Sequence, residues 1–456
     1  MLRSRVVSSL APFALLTLAL VSCGGPLTPV SSAPQTSPSS AQIITVNVRP
    51  QTSEADLLSR YPGGQVLALH ADEGYAQLLL SADALSRPVI GTLSLNAQSL
   101  SVAASEPDLL LTAGDTAPAS ASTASLQTLG LDDPEAQGNS AWAGGNSAWA
   151  GGNSAWAGGL SSGPFTTLKE NLGLWNLVNL SSGQTMAPAL GKGVRVAVLD
   201  TGVDLNHPAF AGHLDTASGW DYVGNDNVEQ DEPGKSPGLS KAYGHGTAVA
   251  GVILQVAPNV TIVPFRVLSP DGSGSLSNII MAVNDAVKSN VKVINMSLGT
   301  VTPSAALNAA ITSAIRKGIM VVASSGNSGD ENVTYPARSS IEMQVSLGGG
   351  LIGVASVNKD DMKSSFSTYG LGIDLLAPGE SVATAFPNNQ RTNATGTSFA
   401  APIVSGAVAL AISAGRTDVI ALYKSLKLSA MAPMDFNYMS KLGNGTLNVA
   451  KLMVTK

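Results

Sequence analysis

From about residue 160 to the C-terminus, apolar runs of strand length alternate with segments of helical periodicity. This alternation constrains the fold more than any other feature of the chain. Val194–Leu199, Thr261–Val267, Val291–Leu298 and Ile319–Ala323 are dominated by apolar residues, as strands buried on both faces of a parallel sheet are. Asn278–Ser289 repeats Ile279, Ala282, Val283, Ala286 and Val287 at helical spacing. Pro303–Lys317 is expected as a second helix, with Thr302 as its cap, Pro303 in its first turn and Gly318 after its end. Thr397–Ser413 is apolar nearly all round, the mark of a buried helix. The pattern predicts an α/β domain with a mostly parallel central sheet flanked by helices. In such sheets a site forms at the carboxyl ends of the strands.

Composition limits what can precede this domain. The chain has 456 residues, 44% hydrophobic and only 12% charged, with a net charge of -6. That is ample core material, and it excludes a disordered chain. The chain has no long basic run, so a nucleic-acid partner is not expected. The single cysteine excludes an intramolecular disulfide and a cysteine-cluster metal site. It is Cys23, and it follows Arg3, Arg5 and the apolar run Ala11–Val21. A charged start followed by a run this short reads as an export signal over residues 1–22, not as a membrane span. Leu20-Val21-Ser22-Cys23 resembles the bacterial lipobox, which implies lipidation of Cys23 and a membrane contact through that anchor alone. Residues 23–40, rich in Pro, Ser and Thr, read as a tether.

Residues 41–112 have strand character. Ile44, Val46 and Val48 alternate with polar neighbours, and Gln65–Ala71 and Tyr75–Leu80 flank a turn at Asp72-Glu73-Gly74. A piece this small has a marginal core of its own and is expected to lean on a neighbour. Residues 113–164 read as a linker. Within it Asn-Ser-Ala-Trp-Ala-Gly-Gly occurs three times in succession, at 139–145, 146–152 and 153–159. Two glycines per repeat make a helix costly there. The repeats read as flexible linker, or as a weak Trp-based contact with cell wall or membrane interface.

Three short motifs fall at predicted strand ends or helix starts. Asp200-Thr201-Gly202 closes the run Val194–Leu199. Gly244-His245-Gly246-Thr247 opens the apolar stretch Ala248–Leu254. Gly396-Thr397-Ser398 opens the buried segment Thr397–Ser413. Each has a bland reading: a turn aspartate, a structural histidine, a helix cap. Together they supply what nucleophilic catalysis by a hydroxyl needs. A serine requires a base to take its proton, and the base requires a carboxylate to orient it. Ser398 also stands at a helix N-terminus, whose N–H groups and dipole favour a developing oxyanion.

In the order Asp, His, Ser these motifs resemble the subtilisin-like serine proteases (subtilases), over roughly residues 165–455. Val293-Ile294-Asn295-Met296-Ser297-Leu298-Gly299 and Val322-Ala323-Ser324-Ser325-Gly326-Asn327 look like further family segments. The resemblance implies a three-layer catalytic domain over 165–456 and an Asp200–His245–Ser398 triad acting through an acyl-enzyme. It implies an oxyanion hole from Asn327 and the Ser398 N–H. It implies a substrate cleft along Ser297, Leu298, Gly299, Ser324, Ser325 and Gly326. Polypeptides are the implied substrates, and catalysis needs no cofactor. Region 41–112 stands where the family keeps an α+β inhibitory propeptide, which makes it an intramolecular partner of the domain. Asp221, Asp226, the Val228 carbonyl and Gln230 match a structural calcium loop of some subtilases; oxygen ligands at alternate loop positions suit that ion. The competing view of this stretch is a solvated acidic loop that includes Glu229, Asp231 and Glu232.

Two other functions compete for the whole chain. A catalytically silent lipoprotein could use the same fold to bind peptides or cell wall; the intact Asp200, His245, Ser398 and Asn327 argue against it. An aspartic-type protease would need a second Asp-Thr-Gly, which the sequence lacks.

Overall fold

β-Branched and apolar residues at alternate positions make the upstream strands, and polar residues set their limits. The computed structural model describes residues 41–81, 84, 102–108, 110–112, 149–155, 168–235 and 241–455. Strands β1 (Gln42–Asn47), β2 (Gln65–His70), β3 (Tyr75–Leu80) and β4 (Val102–Pro107) form an antiparallel sheet in the order β2-β3-β1-β4. A helix, Glu54–Arg60, packs on it through Leu57; Ser53 and Asp56 cap its start reciprocally. Seven residues make barely two turns, so no periodic signal marks this helix in the sequence. Ile44, Val46, Leu57, Leu78 and Leu80 form a small core. On the other face of the sheet, Ile43 and Leu67 join the main core of the molecule.

The upstream sheet also holds the rest of the chain through polar contacts. Gln77 Nε2 donates to Ala306 O at 2.9 Å and Tyr75 OH to Ala309 O at 3.2 Å. Residues just after β4 and at its end do more. Glu106 accepts from Ser304 Oγ at 2.6 Å, Ala305 N at 2.9 Å and Ala306 N at 3.1 Å. Asp108 accepts from the Ser277 N–H and hydroxyl, each at 2.9 Å. These are the first residues of the helices Ala305–Arg316 and Leu276–Lys288, so each carboxylate satisfies leading N–H groups and faces a positive dipole end. The first of these helices starts at Ala305 with Ser304 as its cap. That corrects the expected start at Pro303 under a Thr302 cap: the serine, not the threonine, reaches the Leu307 N–H.

Strand β5 (Leu110–Thr112) lies outside the upstream sheet and pairs antiparallel with Ser273–Ser275. Strand β6 (Trp149–Ala155) comes from the seven-residue repeats. The linker reading is therefore incomplete, because part of the repeat forms ladder hydrogen bonds with residues 390–394. The export signal, Cys23, the tether and the remainder of the repeats lie outside the described residues.

The expected α/β domain follows. Strands β7 (Arg195–Asp200), β8 (Trp220–Asp221), β9 (Thr261–Arg266), β10 (Ser273–Ser275), β11 (Val293–Met296), β12 (Met320–Ser324), β13 (Leu351–Val357) and β14 (Leu375–Pro378) succeed one another along the chain. All except β10 join one parallel sheet in the order β14-β13-β12-β11-β7-β9-β8. Every residue of β11 to β14 is buried, which explains their unbroken apolar runs. Helix Thr397–Ser413 crosses β11 to β14 and packs against helix His245–Val256. It is buried from Thr397 to Ala411, as its all-round apolar sequence implies. Strands β15 (Val382–Phe386) and β16 (Gln390–Ala394) form a hairpin, and β6 adds to the β16 edge. Among the described residues no helix is long and apolar enough to cross a membrane.

Candidate active site

The carboxyl ends of β7, β11 and β12 lie side by side in the sheet, so three of the sequence segments meet at one edge. Asp200 is the last residue of β7 and is fully buried. His245 is the first residue of its helix and is 1% exposed. Its Nδ1–H donates to Asp200 Oδ1 at 2.6 Å. A short bond to a carboxylate at Nδ1 fixes the tautomer that leaves Nε2 free of a proton and able to accept one. The same Asp200 oxygen accepts from the Thr201 N–H at 2.8 Å. The helix comes this close only because residue 246 is glycine. A Cβ there would stand 2.1 Å from the Gly202 carbonyl and 3.0 Å from the Asp200 Cβ.

Helix His245–Val256 has no side-chain cap from its own approach; its N-cap is Gly244, with φ 88. Its leading N–H groups are met from elsewhere. Gly246 N donates to Thr201 Oγ1 at 2.9 Å. Gly244 N donates to Asp231 Oδ1 at 3.0 Å, and Thr247 N and Oγ1 donate to Asp231 Oδ2 at 3.2 and 2.7 Å. Burial pushes the Asp231 carboxyl up to about 7, against the pull of these hydrogen bonds and with the Asp200 charge adding to the push.

Ser398 lies in the first turn of helix Thr397–Ser413, beyond Gly396. Gly396 has φ 152, which a residue with a side chain adopts only under strain. The Ser398 N–H belongs to the leading set without an intrahelical acceptor. The carbonyl of Ser398 would ordinarily accept from residue 402, but that residue is proline and has no N–H. Ser297 Oγ takes the place of that donor, at 2.8 Å from Ser398 O. Ser297 Oγ accepts in turn from Asn295 Nδ2 at 3.0 Å, and Asn295 Oδ1 accepts from Ser405 Oγ at 2.8 Å. This buried chain ties the serine helix to the end of β11. Ser398 Oγ lies 3.5 Å from Ser297 O. The imidazole of His245 packs edge-on against Phe399, the next residue, with centroids 5.4 Å apart.

Asn327 follows β12 and is 1% exposed. Its Oδ1 accepts from Thr397 N at 2.8 Å and Thr397 Oγ1 at 3.0 Å. The amide is thereby turned so that Nδ2, a donor, stands on the side away from Thr397. The two segments expected to line a substrate cleft, Ser297-Leu298-Gly299 and Ser324-Ser325-Gly326, lie at the ends of the adjacent strands β11 and β12. Ser297, Leu298, Ser324 and Ser325 are buried. Thr334, which the sequence reading passed over, stands between the two segments. Its Oγ1 donates to Ser325 O at 3.1 Å, and it fills the space a Cβ on Gly299 would need, 2.6 Å away. No local motif marks Thr334; the fold alone brings it there.

The loop 221–232 is solvated only in part: Asp226 and Glu232 are exposed. Asp221, Glu229 and Asp231 are buried, at 1%, 0% and 2% exposure. Neither carboxylate oxygen of Glu229 has a hydrogen-bond partner, and burial pushes its carboxyl up to about 7. For calcium the residues fit only in part. The Oδ2 atoms of Asp221 and Asp226 both lie near Gly224, and Asp221 Oδ2 also accepts from Arg266 at 2.8 Å. Gln230 is turned away: its Oε1 accepts from Leu205 N at 3.1 Å and its Nε2 donates to Asp231 O. Val228 is half exposed. Among the described residues no group of three His, Cys, Asp or Glu side chains is arranged to hold a metal ion.

Comparison with known proteins meets this geometry. The Subtilase family model matches residues 191–426, just over half of the chain. The chain belongs to the subtilase family. It is a serine-type endopeptidase of the subtilisin-like kind, with the three-layer α/β fold. It is 36% identical over 239 residues to thermitase of Thermoactinomyces vulgaris, covering 50% of this chain and 78% of that one. It is 38% identical over 229 residues to subtilisin BL of Lederbergia lenta, covering 48% of this chain and 76% of that one. Subtilases act on polypeptides and need no cofactor for the chemistry.

Proposed function

We propose that this subtilase cuts peptide bonds with Asp200, His245 and Ser398 as its triad. The observation that carries the reading is the buried 2.6 Å contact from His245 Nδ1 to Asp200 Oδ1, at the same sheet edge as a serine in the first turn of a buried helix. His245 takes the Ser398 proton as Oγ attacks the substrate carbonyl, and later gives it to the leaving amine. Asp200 orients the imidazole and stabilises its positive charge. Asn327 Nδ2 and the Ser398 N–H hold the oxyanion of the tetrahedral intermediate. Water then hydrolyses the acyl-enzyme. An extended substrate pairs along the cleft segments 297–299 and 324–326.

Residues 41–112 act as the propeptide. Glu106 and Asp108 anchor this region to two helix starts of the catalytic domain, and β5 pairs with the β10 edge. The precursor is exported and held to a membrane surface by a lipid at Cys23, and cutting beyond 112 releases the enzyme from that anchor. Calcium would draw on the Asp221 and Asp226 carboxylates and the Val228 carbonyl, with Gln230 joining after a side-chain rotation.

The test is to express the full-length chain and its Ser398→Ala variant, follow their masses, and treat both with a fluorophosphonate. The wild type is expected to shorten and take the label; the variant should do neither. Absence of label on the wild type would remove the triad assignment. Label without shortening would remove the propeptide assignment alone.

A further inference from the structure

We propose that Asp231 is the positioning residue for His245: it sets where the histidine helix begins relative to Asp200. The inference rests on the reading of His245 as the catalytic base. The helix cannot set its own start. Gly244 carries no capping side chain, and its φ of 88 is one that many loop paths satisfy. Four N–H groups precede the first intrahelical bond to Gly244 O and need an acceptor beyond the helix: that of His245 reaches Ala242 O at 3.0 Å, and those of Gly244, Gly246 and Thr247 are met by side-chain oxygens. Asp231 meets two of them, one with each carboxylate oxygen, and accepts the Thr247 hydroxyl as well. A two-oxygen grip on residues 244 and 247 fixes both the rotation and the height of the first turn, which is where His245 stands.

Asp231 is itself fixed to the loop that carries Asp200. Its N–H donates to Val203 O at 3.1 Å, and Val203 N donates to Glu229 O at 2.9 Å. Thr247 Oγ1, while donating to Asp231, accepts from the Asp204 N–H at 2.9 Å. Residues 201–204, 229–231 and 244–247 therefore form one closed frame. Within it the acid and base sides of the 2.6 Å contact are held by one residue, Asp231, through its backbone N–H on the acid side and its carboxylate on the base side. At 2% exposure Asp231 is shut off from the bulk solvent that would otherwise compete for these bonds. Its place in the sequence, 14 residues before His245 and across the stretch 236–240, gives no local capping signal.

The experiment uses the full-length chain with Asp231→Ala, Asp231→Asn and Ser398→Ala, assayed on a small peptide amide and by the rate of fluorophosphonate labelling. Thermal unfolding is measured in parallel, and assays are run well below each variant's midpoint. Asp231→Ala is expected to lower kcat about 10- to 100-fold with KM changed less than about twofold, because a base displaced by a fraction of an ångström loses rate and not binding. Asp231→Asn keeps an oxygen for Gly244 N and an N–H for Thr247 Oγ1, and is expected to recover most of that loss. If Asp231→Ala does not fold, the Asn variant carries the test, with a kcat loss of about two- to fivefold at unchanged KM as the expected result. The inference is overturned if the folded variants match wild-type kcat, or if their loss lies in KM. A wild type that takes no label fails the triad reading itself, an outcome distinct from either.

Discussion

The helix that begins at His245 and the helix that begins at Thr397 pack against each other, with His245 against Phe399, yet their leading N–H groups have different fates. At the first, Thr201 and Asp231 close the end with buried oxygens. At the second, Asn327 takes only the Thr397 N–H, and Ser398, one residue on, is in the proposed mechanism held ready for a substrate oxygen. A third kind of helix start lies away from the cleft. Ala305–Arg316 and Leu276–Lys288 each have a local serine cap, Ser304 and Ser275, and a second cap, Glu106 and Asp108, from the upstream region. A start can thus be closed for rigidity, kept open for chemistry, or doubly closed so that one closure is dispensable. The same backbone donors serve all three uses, and the side chains nearby decide which.

The open end should be the most sensitive. Asn327→Ala is expected to lower kcat about 10²- to 10³-fold with little change in KM, the usual effect of losing one oxyanion donor; steady-state kinetics check it. The dispensable closures come next. Glu106→Ala removes three hydrogen bonds to a carboxylate, each of the stronger kind. It should weaken inhibition by a separately added 41–112 fragment about 10- to 100-fold. The mature enzyme, which in the proposed reading lacks residue 106, keeps the Ser304 cap of this helix.

Glu229 sharpens the contrast with Asp231, because it is equally buried but neither of its carboxylate oxygens has a partner. Its carboxyl rises from about 4.5 when unfolded to about 7 when folded. The folded state therefore binds more protons between these values, and stability falls as pH rises through that window. Glu229→Gln is expected to raise stability by on the order of 1–3 kcal/mol at pH 8 and to have no effect near pH 4. Equal effects at the two pH values would reject this account. The smallest expected effect concerns Ser297 and Pro402. Ser297→Ala should cost about 1 kcal/mol by leaving Ser398 O without a donor. In a Pro402→Ala background the helix supplies its own N–H and the cost should shrink, which a double-mutant cycle in urea measures.

The sequence makes the parallel sheet and the serine helix legible because burial on both faces writes long apolar runs. Thr397–Ser413 matches the structure at both ends. The three motifs are legible because each stands at a strand end or helix start. The closures are not. Asp231, Glu106 and Thr334 act across 9 to roughly 200 residues of chain, and a single carboxylate or hydroxyl carries no periodic signal. Helix Glu54–Arg60 was too short to show a period. The burial of Glu229 runs against its chemistry, so composition points the wrong way.

The pairing of Leu110–Thr112 with Ser273–Ser275 has a kinetic consequence. If residues 41–112 act as the proposed propeptide, this tethered strand meets its partner edge at an effective concentration on the order of millimolar, whatever the dilution of the molecule. Cutting the chain downstream does not by itself lower occupancy, because the fragment stays bound by its own affinity. Once cut, however, it must compete at its true concentration. Dense precursor would therefore stay silent after cleavage, and dilution, or destruction of one fragment by one free enzyme, would set off the rest. Activity should then appear after a lag that shortens when a trace of active enzyme is added.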